Sequence, residues 1–168
     1  MSAVCAVLCL GSNSGKRELY IDKMEQALEM LFGQPLKKSR LMETEPVDVD
    51  TSQEWYLNRV VTGKYSGSPQ ELLEATQEIE RALGRTDKGN YQSRTADIDI
   101  LLFGCLRVES KGLTIPHKGI CSRRFVLEGL ADIVPDMNVP ECGRTVQELY
   151  TLMEPQVKVQ AVRWVALK

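Results

Sequence analysis

The chain has 168 residues, 43% of them hydrophobic and 26% charged, which suits one core burying about two thirds of the unfolded surface and is thin for two domains. A net charge of −2 and a pI near 5.6 argue against a surface that holds nucleic acid or anionic membrane by bulk positive charge. Five scattered cysteines without a CxxC pair argue against a disulfide framework or structural zinc, and a lone histidine, His117, excludes multi-histidine metal sites. Chemistry then rests mainly on carboxylates and arginines.

Ala3 to Leu10 is apolar but short, has no basic flank, and leads into Gly11-Ser12-Asn13-Ser14-Gly15, so it reads as a buried strand rather than a signal peptide. No stretch reaches the ~18 apolar residues of a membrane span. Ile21, Met24, Leu28 and Leu31 recur at helical spacing until Gly33-Gln34-Pro35. Leu36 to Glu45 and Trp55 to Tyr65 read as strands, with a polar loop between them. Ser68, Pro69 and Glu71 form a helix start with a capping box, and Gly84 lies just past the helix end. A glycine-containing basic loop, Gly84 to Ser93, enters the strand Thr95 to Phe103. Helices are expected over Ser122 to Ile133 and Thr145 to Met153, and a strand over Val157 to Leu167. The mixture lacks a regular βαβα alternation, so an α+β sandwich with a mostly antiparallel sheet is expected, as a single domain over residues 1–168. The Met start and domain length fit a stand-alone, cytoplasmic protein.

Strand periodicity places Asp97 and Asp99 on one face, about 7 Å apart at Cα, with Ile98, Ile100 and Leu102 on the other. Like charges there repel unless cations lie between them, and Mg²⁺, which takes one or two carboxylates plus substrate phosphates, is the natural candidate. The competing reading pairs the aspartates with arginines such as Arg85 and Arg94. Gln77 and Glu80, three apart on the second helix, suit a nucleotide's base or sugar, or a salt bridge to a loop arginine. Arg85, Lys88 and Arg94 precede the aspartate strand, and Lys118, Arg123 and Arg124 surround His117. Two basic groups flanking an acid pair fit phosphoryl transfer, although each residue alone is ordinary surface charge. His117 is open to three readings: a structural residue, a phosphate ligand or a general acid. Tyr56 and Asn58 share a strand face and Phe125 offers a second plate, so a flat heteroaromatic ligand fits, as does simple core packing.

Several segments in order then resemble the 6-hydroxymethyl-7,8-dihydropterin pyrophosphokinases of folate biosynthesis, over roughly residues 4 to 140. They are Leu10-Gly11-Ser12-Asn13, Tyr56-Leu57-Asn58, Thr76-Gln77-Glu78-Ile79-Glu80, the run Ser93 to Phe103, Leu113-Thr114-Ile115-Pro116-His117, and Arg123 to Leu127. The resemblance implies a ferredoxin-like fold and transfer of the ATP pyrophosphoryl group to the pterin hydroxymethyl oxygen, releasing AMP. It implies two Mg²⁺ ions on Asp97 and Asp99, and an ATP site lined by Gln77, Glu80, Ile100, Leu113, Thr114, His117 and Arg123. Arg85 and Arg94 would close over the phosphates, while Thr44, Val47, Tyr56, Asn58 and Phe125 would form the pterin pocket, its ring between Tyr56 and Phe125.

The sequence departs from the family pattern at Tyr91-Gln92-Ser93, at Glu45-Pro46-Val47-Asp48, at Lys118, and at Gly112 where some members carry a basic ATP contact. A monomer is expected, without nucleic-acid or membrane partners. A non-catalytic ferredoxin-like binding module, and a kinase acting on another heterocycle, are the alternatives.

Overall fold

The computed structural model describes residues 2–46, 54–85 and 95–166, so Val47, Lys88, Arg94 and the Tyr91–Ser93 departure lie outside it. β1 (Val4–Ser12) runs through the middle of the main sheet, buried along nearly its whole length. It pairs antiparallel with β4 (Tyr56–Tyr65) on one side and β5 (Asp97–Phe103) on the other. β3 (Leu41–Thr44) extends the sheet beyond β4, and β10 (Val162–Val165) extends it beyond β3. With α1 (Arg17–Phe32) after β1 and α2 (Pro69–Ala82) after β4, the order β3-β4-β1-β5 is that of a split βαβ, the ferredoxin-like arrangement.

Alternation along β1 divides the core. Ala6, Leu8 and Leu10 pack with Ile21, Met24 and Leu28 of α1 and Leu72 of α2. Val7 and Cys9 face the other way, towards Val126, Leu127 and Leu130 of α3 (Arg124–Ile133) and Val146 of α4 (Val146–Thr151). The middle of α3 lies against β4 because Gly129 has no side chain: a Cβ there would stand 2.3 Å from Val60 Cγ2. The expected α2 boundary is observed, with Ser68 Oγ accepting from Glu71 N and the Glu71 carboxylate accepting from Ser68 N.

Four details differ from the sequence reading. The register of β1 and β5 shifts between Val7 and Leu8, a bulge that sends both Leu101 and Leu102 to the α3 side and Phe103 to the α1 side. Leu102 therefore does not share the face of Ile98 and Ile100. The expected strand Leu36 to Glu45 is split into β2 (Lys37–Lys38) and β3, because Arg40 N donates to Asp132 and Ser39 Oγ takes the Val60 N–H. In α1 Leu31 is exposed, whereas Glu25 is buried and pairs with Arg59 and Lys38. Finally, Val157 lies not in a strand but in the helical turn α5 (Pro155–Lys158), which begins on Pro155 and buries Val157, leaving only Val162–Val165 extended. Two hairpins complete the elements, β6 (Val108–Ser110) with β7 (Leu113–Ile115), and β8 (Asn138–Val139) with β9 (Arg144–Thr145). Among the described residues, no helix is long and apolar enough to cross a membrane.

Candidate active site

Sheet register builds the site. Gly11 in β1 faces Asn58 in β4 on one side and Asp97 in β5 on the other. Two residues back, Cys9 lies between Val60 and Asp99. All these positions point to the α3 side, so the acid pair and the Asn58 amide share one surface, separated by a strand that carries only hydrogen at its crossing point. A Cβ on Gly11 would stand 2.9 Å from Asn58 Oδ1 and 3.9 Å from Asp97 Cβ. Glycine is therefore required here by close approach rather than by backbone conformation.

The acid pair opens into a cleft of about 560 Å³ lined by Glu80, Arg85, Asp97, Asp99, Ile100, Leu113, Thr114 and His117, with Lys118, Leu73, Ile98, Ser110 and Gly112 completing its wall. At the α2 end, Glu80 is buried and its carboxylate accepts from Ile98 N at 2.8 Å, so a side chain satisfies an N–H on the outer edge of β5. Arg85 Nη1 donates to Glu80 at 2.6 Å and to Asp97 at 2.7 Å, so this guanidinium bridges two carboxylates. The salt-bridge readings are thus partly realised: Glu80 and Asp97 share Arg85, while among the described residues no lysine or arginine forms an ion pair with Asp99.

Burial, the Asp97 carboxylate and Glu80 push the Asp99 carboxyl up to about 7, against the opposing pull of Arg123 and Arg85. Its side chain keeps 35% exposure towards the cleft. His117 Nε2 lies 3.8 Å from Asp99, while His117 Nδ1 accepts from Gly119 N at 2.9 Å, which leaves the ring hydrogen of the neutral form on Nε2. Burial and then Arg123 hold the imidazole below its usual range. The backbone fixes this loop as well, since His117 N donates to the carbonyl of Leu101, the bulge residue. Beneath the acids, burial together with Asp99 and Asp97 raises the Cys9 thiol well above its ordinary value, so it stays protonated.

Among the described residues, no group of three or more His, Cys, Asp or Glu side chains could cage a metal ion. The donor set nevertheless fits a hard divalent cation held by two carboxylates, with water or substrate oxygens as remaining ligands. Burial and the Asp97 carboxylate disfavour ionised Asp99, and a cation bound there would oppose both.

On the other side of Gly11, Asn58 is buried and its Nδ2 donates to Thr44 Oγ1 at 2.6 Å, which turns Oδ1 towards Gly11. Tyr56 begins β4, half-buried, with Cδ1 3.6 Å from the Gly11 Cβ position. Phe125 occupies the first turn of α3 and packs against the α3-side core. Arg123 is the α3 N-cap residue, in extended conformation, and its charge acts on Asp99 and His117. Gln77 is half-buried on α2 and does not line the cleft. Two lining residues carry no signal of their own in the sequence: Leu73 belongs to the apolar stripe of α2, and Ser110 depends on the β6–β7 pairing, which no periodicity announces.

Comparison with known proteins connects this geometry to a family. The family model described as 7,8-dihydro-6-hydroxymethylpterin-pyrophosphokinase matches residues 7–135. The 2-amino-4-hydroxy-6-hydroxymethyldihydropteridine pyrophosphokinase of Bacillus subtilis is 43% identical over 132 residues, 76% of this chain and 77% of its own. The protein of the same name from Methylorubrum extorquens is 35% identical over 154 residues, 89% of this chain and 94% of its own. The mitochondrial folate synthesis bifunctional protein of Arabidopsis thaliana is 39% identical, but this chain spans only 23% of it. Among solved structures, Plasmodium falciparum HPPK-DHPS with pteroate superposes with a TM-score of 0.68 over 90% of this chain and 43% of that one. At 17% identity this is a likeness of fold. The matches set aside the non-catalytic binding module, and the chain belongs to the 7,8-dihydro-6-hydroxymethylpterin-pyrophosphokinase family.

Proposed function

We propose that this chain transfers the pyrophosphoryl group of ATP to the hydroxymethyl oxygen of 6-hydroxymethyl-7,8-dihydropterin, giving the pterin diphosphate and AMP, in the cytoplasm and as one pyrophosphokinase unit over residues 1–168. The observation that carries this reading is the register across Gly11, which sets a carboxylate pair and an amide–hydroxyl pair on one surface, one strand apart. The pterin is a flat ring with paired donors and acceptors, matched by Asn58 and Thr44 and flanked by Tyr56 and Phe125; Val47, outside the described residues, is assigned to this pocket by the family resemblance alone. ATP occupies the acid cleft against Glu80, Ile100, Leu113, Thr114, His117 and Arg123, with Gln77 on the same helix as Glu80.

Asp97 and Asp99 would hold two Mg²⁺ ions, which when bound neutralise phosphate charge and polarise the transferred group. The side chains themselves bind and orient. His117 presents its Nε2 hydrogen to the cleft, Arg123 and Lys118 supply fixed positive charge, and Arg85 and Arg94 neutralise charge on the phosphates. No protein nucleophile is needed, since positioning and charge compensation carry this type of transfer. The protein acts as a monomer with small-molecule partners only.

The test is chromatographic: incubate with ATP, MgCl₂ and the pterin, and follow nucleotide products. AMP appearing only with the pterin supports pyrophosphoryl transfer, whereas pterin-dependent ADP would overturn the reaction type. No nucleotide product would overturn the substrate assignment. Arg94→Ala is expected to slow turnover more than it weakens ATP binding, read from kcat and KM in the same assay.

A further inference from the structure

The segment just before β10 touches both sides of the ring-binding half, one through the Gln160 side chain and the other through the Ala161 backbone. Gln160 Oε1 accepts from Arg124 N at 2.8 Å, and Gln160 Nε2 donates to Ser122 O at 3.0 Å. This amide therefore clamps the residues on either side of Arg123 and immediately before Phe125. Arg124 returns the grip: its Nη1 donates to Lys158 O at 2.9 Å and Gln160 O at 3.1 Å, while its Nε is fixed on Glu128 at 2.7 Å.

The next residue reaches the opposite wall. Ala161 N donates to Glu45 Oε1 at 3.0 Å, Glu45 N donates to Ala161 O at 3.4 Å, and Val162 pairs with Thr44 in the β10–β3 register. Val157, in the turn that precedes Gln160, is buried in the α3-side core, so the strap is anchored at its base. Two walls that are far apart in sequence, Thr44–Glu45 and Ser122–Phe125, thus share one connection at residues 160–161.

We propose that Gln160 is a positioning residue that sets the gap between the Thr44 wall and the Arg123–Phe125 turn, and so governs affinity for the heteroaromatic acceptor. This rests on the reaction proposed above. Gln160 touches neither reacting group. Its amide supplies one acceptor and one donor, both of which the turn uses, because the first N–H groups of α3 have no side-chain cap of their own.

The test compares Gln160→Ala and Gln160→Glu in the full chain. The glutamate keeps the acceptor for Arg124 N–H, while its second oxygen meets the Ser122 carbonyl without a hydrogen to donate and has to turn away from it. Gln160→Ala is expected to raise KM for the pterin at least 5-fold with kcat within 2-fold of the parent, and Gln160→Glu to recover more than half of that loss. Backbone deuterium exchange over residues 122–127 is expected to speed up in Gln160→Ala, a readout that needs no substrate. Unchanged exchange would overturn the clamp itself. Faster exchange with unchanged pterin KM would overturn the positioning role, and a parent protein without pterin-dependent AMP would instead overturn the reaction while exchange still reports on the clamp.

Discussion

The two halves of the site treat polar groups in opposite ways. In the ring half Asn58 donates to Thr44, and the surrounding backbone is tied by hydrogen bonds from the C-terminal strap. In the acid half three carboxylates converge, Arg85 serves two of them, and Asp99 is left with its carboxyl pushed up to about 7. The ring half is tied by hydrogen bonds among neutral groups, as the proposed binding of a neutral, flat molecule requires. The acid half keeps a repulsion between Asp97 and Asp99 that Arg85 and Arg123 only partly oppose.

The largest effect expected from this contrast is on turnover. Asp97→Ala and Asp99→Ala should each lower kcat by about 10³-fold or more, a loss of roughly 4 kcal/mol of barrier stabilisation, with circular dichroism unchanged. Full activity in either variant would mean that the acids are not where cations work. Next comes Glu80→Ala, which strips the buried Arg85 of one partner and leaves the Ile98 N–H without its acceptor. A cost of about 3–5 kcal/mol in urea unfolding is expected, with Glu80→Gln milder because the amide oxygen still accepts.

In the ring half, Asn58→Ala should raise pterin KM about 10–100-fold, equivalent to roughly 1.4–2.7 kcal/mol, with ATP KM nearly unchanged. An equal rise in both constants would erase the distinction between the halves. The smallest effect sharpens the electrostatics. Because the folded carboxyl of Asp99 titrates higher than the ordinary 3.8, its contribution to stability is greatest below that value and is lost as pH rises to about 7. His117, held low by burial, works in the opposite sense below 6.5. The quantity to read is therefore the difference between parent and Asp99→Asn. In metal-free buffer the variant's melting temperature should exceed the parent's by a few degrees at pH 8, on the order of 1 kcal/mol after allowance for solvent screening, and the gap should close near pH 4.

Much of this was legible in the residues because local chemistry decided it. The α2 capping box needs only Ser68, Pro69 and Glu71, and the acid pair needs only period two over Asp97 and Asp99. The missed features depend on partners distant in sequence. The bulge that turns Leu102 away from Ile100 is fixed by β1, and the break between β2 and β3 by Asp132 on α3. Gln160 looks like any exposed polar residue until the fold brings it to Ser122 and Arg124.

The crossing at Gly11 has a dimensional consequence. Adjacent strands lie about 4.8 Å apart, so the backbone of Asn58 and that of Asp97 are held about 9.6 Å from each other by two layers of ladder hydrogen bonds. The sheet is thus a ruler laid between the Asn58 amide and the acid pair. It does not lengthen or shorten with the identity of its surface residues, so under the proposed reaction the main chain sets the interval that the acceptor's reactive arm has to span.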